Sequence, residues 1–375
     1  MLDNPDWLLT PIQNINRMRE TMSRSELQFN HQRSEFLENA WYVVAQSGEI
    51  DHQLQSIKIL GDDVLFYRNS KHDVVALEDA CPHRKLPLSM GKLVGDAVQC
   101  GYHGLTFDSA GKCINAPTQN KIPSNAIVRS YPIFEKYKLV WIWMGDPELA
   151  DSSKILALDN YDDPNWGLTD GGMLECQCHY LYLLDNLLDP SHVAWVHKSS
   201  FASAGTEDVP LIIEDTPSGV LVSRWIKDIT PPPYYADILP FQGKVDRLQH
   251  YEAVIPSIAC NMSTYAPAGL GGDNDNLPED SYRMRSYHFI TPIDMHSSRY
   301  HWFQHYNTNT QDEVVRHKLN EGARGAFEED RIVLEAVNVG MNQEKTSKLD
   351  LQLDIGSKKF RKKLNDLIKS EKAVD

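Results

Sequence analysis

Residues 81–84 read Cys-Pro-His-Arg, and residues 100–104 read Cys-Gly-Tyr-His-Gly. Each stretch presents one thiol and one imidazole within a short loop, and sixteen residues, 84 to 99, separate His83 from Cys100. A zinc finger groups two cysteines first and two histidines second, so this mixed order favours a different metal centre. The pattern predicts two equivalent loops that hold one centre between them.

The four candidate ligands are Cys81, His83, Cys100 and His103. They suit a Rieske [2Fe–2S] cluster, in which one iron binds both thiolates and the other binds both imidazoles. A structural zinc site, or unrelated core residues, is the alternative to this interpretation. The remaining cysteines have no such spacing to a histidine, and we interpret them as small packing residues: Cys113, Cys176, Cys178 and Cys260.

Composition sets limits on the classes of function. The 375 residues include 41% hydrophobic and 24% charged residues, typical of a folded chain of two domains. No apolar run approaches the roughly 18 residues of a membrane span. The net charge of −15 would repel nucleic acid, and we interpret the basic segment 358–363 as the solvated face of a terminal helix. We therefore expect no membrane and no nucleic-acid partner.

Cysteine usage and the N-terminus bear on location. Six cysteines are too few for a disulfide scaffold, and the first thirty residues lack the apolar core of a secretory signal. We therefore expect a cytoplasmic protein. Met18 and Met22 leave open a later start of translation.

The chain divides into three predicted parts. Residues 1–37 are polar and are interpreted as an N-terminal extension. Residues 38–150 contain short β-rich runs separated by Gly, Asp and Pro, which predicts an all-β cluster domain. Residues 151–375 mix helical patterns with long alternating strands. The predicted fold class is α+β, with a large antiparallel sheet flanked by helices in the second domain.

A second group of polar residues lies in the helical run 183–197, where Asn186, Asp189, His192 and His197 stand among apolar neighbours. Asn186 and His197 are within about 20° on an ideal helix, but the two histidines are about 140° apart. Pro190, or a π-type bulge, would bring both imidazoles to one point. We predict a helix distortion near residues 190–197. Asp189 could also simply cap the helix that follows it.

Two histidines lack one carboxylate of the triad that binds non-haem iron. Asp330 supplies a candidate, because it lies within an apolar helical stripe where an unpaired carboxylate is unfavourable. The neighbouring Glu328, Glu329 and Glu335 are predicted to point to the opposite side. A buried salt bridge is the alternative role for Asp330. The stripe consists of Ala323, Ala326, Phe327, Leu334 and Val337.

Together these motifs resemble the Rieske non-haem iron oxygenase family, which combines Cys-x-His and Cys-x-x-His loops with Asn-x-x-Asp-x-x-His-x-x-x-x-His. Residues 39–43, 100–105, 185–189 and 327–330 further resemble the vanillate O-demethylase group. The family usually has Arg-Gly after the first cluster histidine, whereas this chain has Arg84 and Lys85.

The resemblance implies a monooxygenase component that uses O2 and external electrons to demethylate a methoxy-aromatic acid such as vanillate. It implies one [2Fe–2S] cluster and one Fe(II) per chain, with His192, His197 and Asp330 as iron ligands and with Asn186 and Asp189 in catalytic roles. It also implies a separate NADH- and flavin-dependent reductase, possibly with a ferredoxin domain. Finally, it implies a head-to-tail homotrimer, in which Asp189 links the cluster of one subunit to the iron of the next.

Two alternatives remain open from the sequence. The same site could hydroxylate a ring, methyl or methylene group of another small substrate, and formaldehyde release separates these reactions. The chain could instead be an electron carrier or sensor that lacks catalytic iron. The sequence does not identify the substrate, although Tyr180, Tyr300, Trp302 and Arg247 are candidates for the pocket lining.

Overall fold

The structure is a computed structural model that describes residues 35–117, 119–203, 206, 208–272, 276–343 and 348–373. The predicted extension, including Met18 and Met22, lies almost entirely outside these residues. Its last two residues, Phe36 and Leu37, are buried, and the Phe36 ring packs 5.8 Å from that of Tyr180. The domain boundaries at residues 37 and 150 stay predictions.

The N-terminal unit contains ten short strands in three antiparallel sheets among the described residues. In order they are β1 (Trp41–Gln46), β2 (Gln55–Ile59), β3 (Asp62–Arg68), β4 (Val74–Glu78), β5 (Lys92–Val94), β6 (Ala97–Gln99), β7 (Thr106–Phe107), β8 (Cys113–Asn115), β9 (Ile133–Lys136) and β10 (Leu139–Trp143). The sheet orders are β1-β10-β9, β2-β3-β4 and β5-β6-β7-β8. The two candidate cluster loops follow β4 and β6.

The C-terminal unit is built on one large antiparallel sheet. Its strands are β11 (Gly167–Leu168), β12 (Gly172–Cys176), β13 (Ile212–Asp215), β14 (Gly219–Ile229), β15 (Val245–Val254), β16 (Ile258–Pro267), β17 (Tyr282–Pro292) and β18 (Ser298–Tyr306). The order is β11-β18-β17-β16-β15-β14-β13, and β12 also pairs with β18. The described helices are α1 (Tyr180–Leu188), α2 (Val193–Val196), α3 (Pro233–Ala236), α4 (Glu313–Met341) and α5 (Ile355–Lys372), and 3-10 turns span Ser47–Glu49, Leu88–Met90, Pro147–Leu149, Ser152–Lys154 and Gln352–Asp354.

Both faces of the large sheet are covered, which explains why its central strands are buried along almost their whole length. Leucines of α1 pack on one face together with Ala253 and Trp302. Aromatic residues of β1 and β10 pack on the other face against Phe289 and Phe303. Because side chains alternate along a strand, even-numbered residues of β17 face the helices and odd-numbered residues face the N-terminal unit. The predicted α+β fold class is confirmed.

Helix α4 carries most, but not all, of its predicted apolar stripe. Asp312 begins the helix by accepting hydrogen bonds from the backbone N–H groups of Val314 and Val315. Ala323 and Leu334 are buried as predicted, but Val337 is 40% exposed, so the buried stripe ends before it. In the part of the chain that the structure describes, no helix has the length and apolar character needed to cross a membrane.

Candidate functional site

The two loops predicted to hold a cluster have the same backbone design. In the first loop, Cys81 N donates to Leu86 O at 2.9 Å and Lys85 N donates to Cys81 O at 2.8 Å. The second loop repeats both bonds at the same spacing: Cys100 N to Leu105 O at 2.8 Å and Gly104 N to Cys100 O at 3.1 Å. The fifth residue of each loop is left-handed, with φ of 59° at Lys85 and 74° at Gly104. Lys85 therefore occupies the place where glycine would be unstrained.

The four candidate ligands are sorted by chemistry. The thiols of Cys81 and Cys100 lie together inside the domain at 2% and 3% exposure, and burial, followed by the nearby Cys100 thiol, raises the pKa of Cys81. The rings of His83 and His103 lie together nearer the surface, with centroids 4.5 Å apart. Two thiols on the inside and two imidazoles on the outside fit a Rieske cluster, whose two irons take different ligands.

The run 183–197 is broken where the distortion was predicted. Helix α1 ends at Leu188, Asp189 is extended with φ of −102° and ψ of 101°, and α2 begins at Val193. The Asp189 carboxylate accepts a hydrogen bond from Ser191 N at 2.7 Å. The backbone carbonyl of Asp189, rather than its carboxylate, contacts Nδ1 of His192. The break therefore frees His192 from regular helical geometry and orients its ring.

His192, His197 and Asp330 converge, although 132 residues, 198 to 329, separate His197 from Asp330. One ligand atom of each lies within 4.8 Å of the others, close enough to hold a metal ion. Asp330 Oδ1 is 3.2 Å from His197 Nε2 and 3.7 Å from His192 Nε2. Two imidazoles and one carboxylate that occupy one face of the metal are the donor set of non-haem ferrous sites.

Burial shapes the electrostatics of this cluster. Burial of Asp330 works to raise its pKa, but the hydrogen bond from His197, the charges of both histidines and a hydrogen bond from Asn186 outweigh it and hold the pKa low. For His197, burial works to lower the pKa, but bonds to Asp330 and Glu329 raise it overall. Asp330 is therefore ionised within an apolar surrounding, as a metal ligand must be.

Glu329 is a site residue that the sequence analysis assigned wrongly. Its Oε2 lies 2.8 Å from Nδ1 of His197, so it reaches the site instead of pointing to the opposite side of α4. The reason is that the His197 ring lies between the side chains of Glu329 and Asp330, with one ring nitrogen facing each of them. Neighbouring helix positions differ by about 100°, so only the position of α2 reveals this contact. Glu328 does point away, toward Arg331.

A cavity of about 60 Å³ adjoins the three candidate ligands. Its floor is the helix-facing side of the large sheet, and it includes Arg247, Asn261, Ser286 and His288. Arg247 lines the cavity as predicted, whereas Tyr180, Tyr300 and Trp302, which were also predicted to line it, are not in the lining. The Tyr300 hydroxyl instead contacts Nδ1 of the lining residue His288 at 2.6 Å. The complete lining is Leu187, His192, Val193, His197, Phe201, Tyr235, Arg247, Tyr251, Asn261, Ser263, Met284, Ser286, His288, Gln304, Ala326, Phe327 and Asp330.

Strand register explains why these polar residues could not be selected from the sequence. Tyr251 pairs with Asn261, Asn261 pairs with Ser286, and Ser286 pairs with Gln304, which forms one polar row across four strands. Each residue is a single polar position within its own strand, and alternation in a strand shows only that it shares a face with its neighbours two places away. The row exists only once the four strands are aligned.

Comparison with known families supports both parts of this description. Residues 40–132 match the family model of the Rieske [2Fe-2S] domain, and residues 176–370 match that of the vanillate O-demethylase oxygenase C-terminal domain. The two matched segments contain all the candidate ligands named above.

Similar proteins span nearly the whole chain. The iron-sulfur subunit TsaM1 of a toluene-4-sulfonate monooxygenase system from Comamonas testosteroni is 34% identical, over 90% of this chain and 98% of that protein. A vanillate O-demethylase oxygenase subunit from Pseudomonas sp. strain HR199 is 31% identical, over 90% and 96%. The crystal structure of dicamba monooxygenase bound to 3,6-dichlorosalicylic acid superposes with a TM-score of 0.82 at 30% identity, over 90% of this chain and 99% of that chain.

Proposed function

The chain belongs to the Rieske non-haem iron oxygenases, and from that membership we propose that it is a monooxygenase component that demethylates a methoxy-aromatic acid such as vanillate. The observation that carries the proposal is the convergence of His192, His197 and Asp330 beside a buried cavity. The name of the vanillate relative supports O-demethylation as the reaction.

In this proposal Cys81, His83, Cys100 and His103 hold a [2Fe–2S] cluster, and the triad of His192, His197 and Asp330 holds one Fe(II). The sorting of thiols and imidazoles into separate pairs supports the first assignment, and the donor set supports the second. When bound, the cluster would supply electrons one at a time and the iron would supply activation of O2.

The residues around the triad fix its geometry. Glu329 orients His197 through Nδ1, and the carbonyl of Asp189 does the same for His192. Each leaves the opposite ring nitrogen, Nε2, facing Asp330. The Asn186 side chain donates to Asp330 and keeps its carboxylate in place. We assign Asn186 this positioning role.

The overall reaction is balanced by an external electron source. One methoxy-arene, one O2, two electrons and two protons give a phenol, formaldehyde and water. Hydroxylation of the methyl carbon gives a hemiacetal, and its C–O bond then breaks to release formaldehyde. Electrons come, in this proposal, from a separate NADH- and flavin-dependent reductase. The cavity must widen to accept an aromatic ring, because about 60 Å³ accommodates roughly two water molecules.

We further propose a homotrimer in which Asp189 connects the cluster histidine of one subunit to His192 of the next. Asp189 is half-buried, and only its Oδ1 has a hydrogen-bond partner among the described residues, the N–H of Ser191. The other oxygen, Oδ2, can accept a hydrogen bond from another subunit. An Asp189→Ala variant should keep a reducible cluster and lose turnover, because the link between the two centres is removed.

Formaldehyde release from vanillate or 4-methoxybenzoate, with a surrogate reductase, tests the proposed reaction. The His192→Ala variant should keep the Rieske spectrum and lose more than about 100-fold in turnover, which exceeds the usual effect of outer-shell changes. Unchanged turnover in this variant would contradict the assignment of the triad. A wild-type protein with an intact Rieske spectrum and no turnover would instead favour an electron carrier. Toluene-4-sulfonate has no methoxy group, so the relative named for it supports a second candidate, hydroxylation of a ring, methyl or methylene group, which releases no formaldehyde.

A further inference from the structure

We propose that Arg247 binds the acidic group of the substrate and thereby selects anionic over neutral aromatic compounds. This inference rests on the proposed function for the identity of the substrate as an aromatic acid. It assigns a specificity-determining residue on the cavity floor, outside the candidate metal ligands and the residues that orient them.

Arg247 is a buried cation without a carboxylate partner among the described residues. It is 1% exposed, and its Nη1 donates to the carbonyl of Phe201 at 2.9 Å, but its Nε has no hydrogen-bond partner within the described ranges of the chain. The rings of Tyr235 and Tyr265 lie 5.8 and 5.4 Å from the guanidinium carbon. Aromatic faces stabilise a cation only partly, and a buried charge without a counter-ion is unfavourable. An anion in the cavity would supply both the missing charge and the missing acceptor.

Arg224 shows what a purely structural arginine looks like on the same sheet. It is equally buried, at 2% exposed. Its Nε donates to Gln249 Oε1 at 2.7 Å and its Nη2 donates to Pro190 O at 3.0 Å. The Arg224 side chain thereby ties the break between α1 and α2 to the sheet. Its polar atoms are occupied by the protein, whereas Nε of Arg247 is not.

The position of Arg247 within the cavity defines an orientation for the substrate. His288 pairs with Ala259 on the neighbouring strand, and Ala259 pairs in turn with Ala253, which lies six positions along β15 from Arg247. Arg247 and His288 therefore lie toward opposite ends of the cavity floor. With Fe(II) bound, the triad would carry no net negative charge to repel an acid group, so the attraction of Arg247 is what would position that group. The methoxy group at the far side of the ring would then face the triad. This orientation requires a substrate whose acid group and whose reacting methoxy group lie on different sides of the ring.

Three further polar atoms on the floor also have no hydrogen-bond partner in the part of the chain that the structure describes: Asn261 Oδ1, Ser286 Oγ and His288 Nε2. Asn261 Oδ1 and Ser286 Oγ are buried, make no hydrogen bond with any described residue, and face each other across β16 and β17 in register. Buried polar atoms usually have partners, so these two are available to polar substituents of a bound ring. They complement Arg247 rather than replace it, because neither carries a positive charge.

The test is equilibrium dialysis of the anaerobic holoprotein with 4-methoxybenzoate and with its neutral analogue 4-methoxybenzamide. The wild type should bind the acid more tightly. Arg247→Met should lower the affinity for the acid about 10- to 100-fold, the range for a lost hydrogen bond to a charged group, and change that for the amide less than about threefold. Arg285→Met is the matched control, since Arg285 lies on the opposite face of the sheet and pairs with Asp159 at 2.7 Å.

An equal affinity of the wild type for acid and amide, or an unchanged ratio of the two in Arg247→Met, would overturn the proposal. Should Arg247→Met lose the native cluster spectrum, Arg247→Lys decides, because lysine keeps the charge but not the planar fork. A lower ratio of acid affinity to amide affinity in Arg247→Lys then supports the proposal, and an unchanged ratio overturns it. Binding is measured separately from formaldehyde release. A preference for the acid without formaldehyde release would refute O-demethylation but leave the role of Arg247 intact. Formaldehyde release without a preference for the acid would refute the role of Arg247 but leave O-demethylation intact.

Discussion

The two candidate metal centres of this chain are built in opposite ways. The first is formed by two loops close in sequence, residues 81–86 and 100–105, which repeat the same backbone hydrogen bonds. The second combines His192 and His197, beside a helix break, with Asp330 in the middle of a 29-residue helix. The loops expose part of the first site, whereas Asp330 and His197 are almost completely buried.

This difference separates a local site from one that depends on the whole fold. Loop closure places the four cluster residues, so the first site requires only the N-terminal unit around it. The second requires the packing of α1, α2 and α4 on the large sheet, together with supporting contacts such as that of Glu329 with His197. We therefore expect changes in either site to leave the other intact, and changes around the second site to act gradually.

The largest expected effect is loss of the first centre in Cys100→Ser. Serine does not replace a cluster thiolate, so the visible absorbance and all turnover should disappear, while Fe(II) binding at the triad persists. Metal analysis with visible spectroscopy measures both. Cys113→Ser is the control, because Cys113 is equally buried in the same core but belongs to neither loop. A coloured, active Cys100→Ser protein would contradict the cluster assignment.

Asp330→Ala should produce the reverse pattern. The cluster spectrum should remain, one iron per chain should be lost, and formaldehyde release should fall more than about 100-fold. Glu328→Ala on the outer side of α4 should change none of these, since Glu328 pairs with Arg331 away from the site. If Asp330→Ala retained its third iron, Asp330 would be a buried ion-pair partner and not a ligand.

Glu329→Gln should have an intermediate effect. Glutamine keeps the size of the side chain but removes the charge that orients His197, and such outer-shell changes typically lower metal affinity or activity 10- to 100-fold. Titration of Fe(II) into iron-depleted protein measures the affinity. Glu328→Gln provides the comparison. Equal Fe(II) affinities in the two variants would show that Glu329 does not support the iron site.

The smallest predicted effect compares the two loops with each other. Lys85→Gly should raise the free energy of unfolding by about 1 kcal/mol, because a non-glycine residue is strained at its φ of 59°. The exposed contact of Lys85 with Glu78, which would be lost, contributes little. Gly104→Ala should lower stability, since φ is 74° there and a Cβ would lie 3.0 Å from Pro117. Denaturation followed by cluster absorbance measures both changes in the free energy of unfolding. Changes of the same sign in the two variants would contradict the equivalence of the loops.

The sequence predicted those features whose signal is contained in one segment. The cluster loops, the helix break near Pro190 and the burial of Asp330 all follow from spacing and from polar residues in apolar surroundings. Glu329 was assigned to the wrong side, because its partner comes from another helix. The polar floor residues, such as Asn261 and Ser286, depend on strand register, and Arg247 was recognisable only as a candidate. Its missing counter-ion became apparent from its surroundings.

The most direct test of the account is the electron paramagnetic resonance spectrum of the reduced protein, with iron, zinc and acid-labile sulfide quantified per chain. We predict a rhombic Rieske signal with about three irons and about two sulfides per chain, because a two-iron cluster and one further iron are assigned to each chain. Zinc in place of iron would contradict both sites. Two irons that do not increase when Fe(II) is added would contradict the triad of His192, His197 and Asp330.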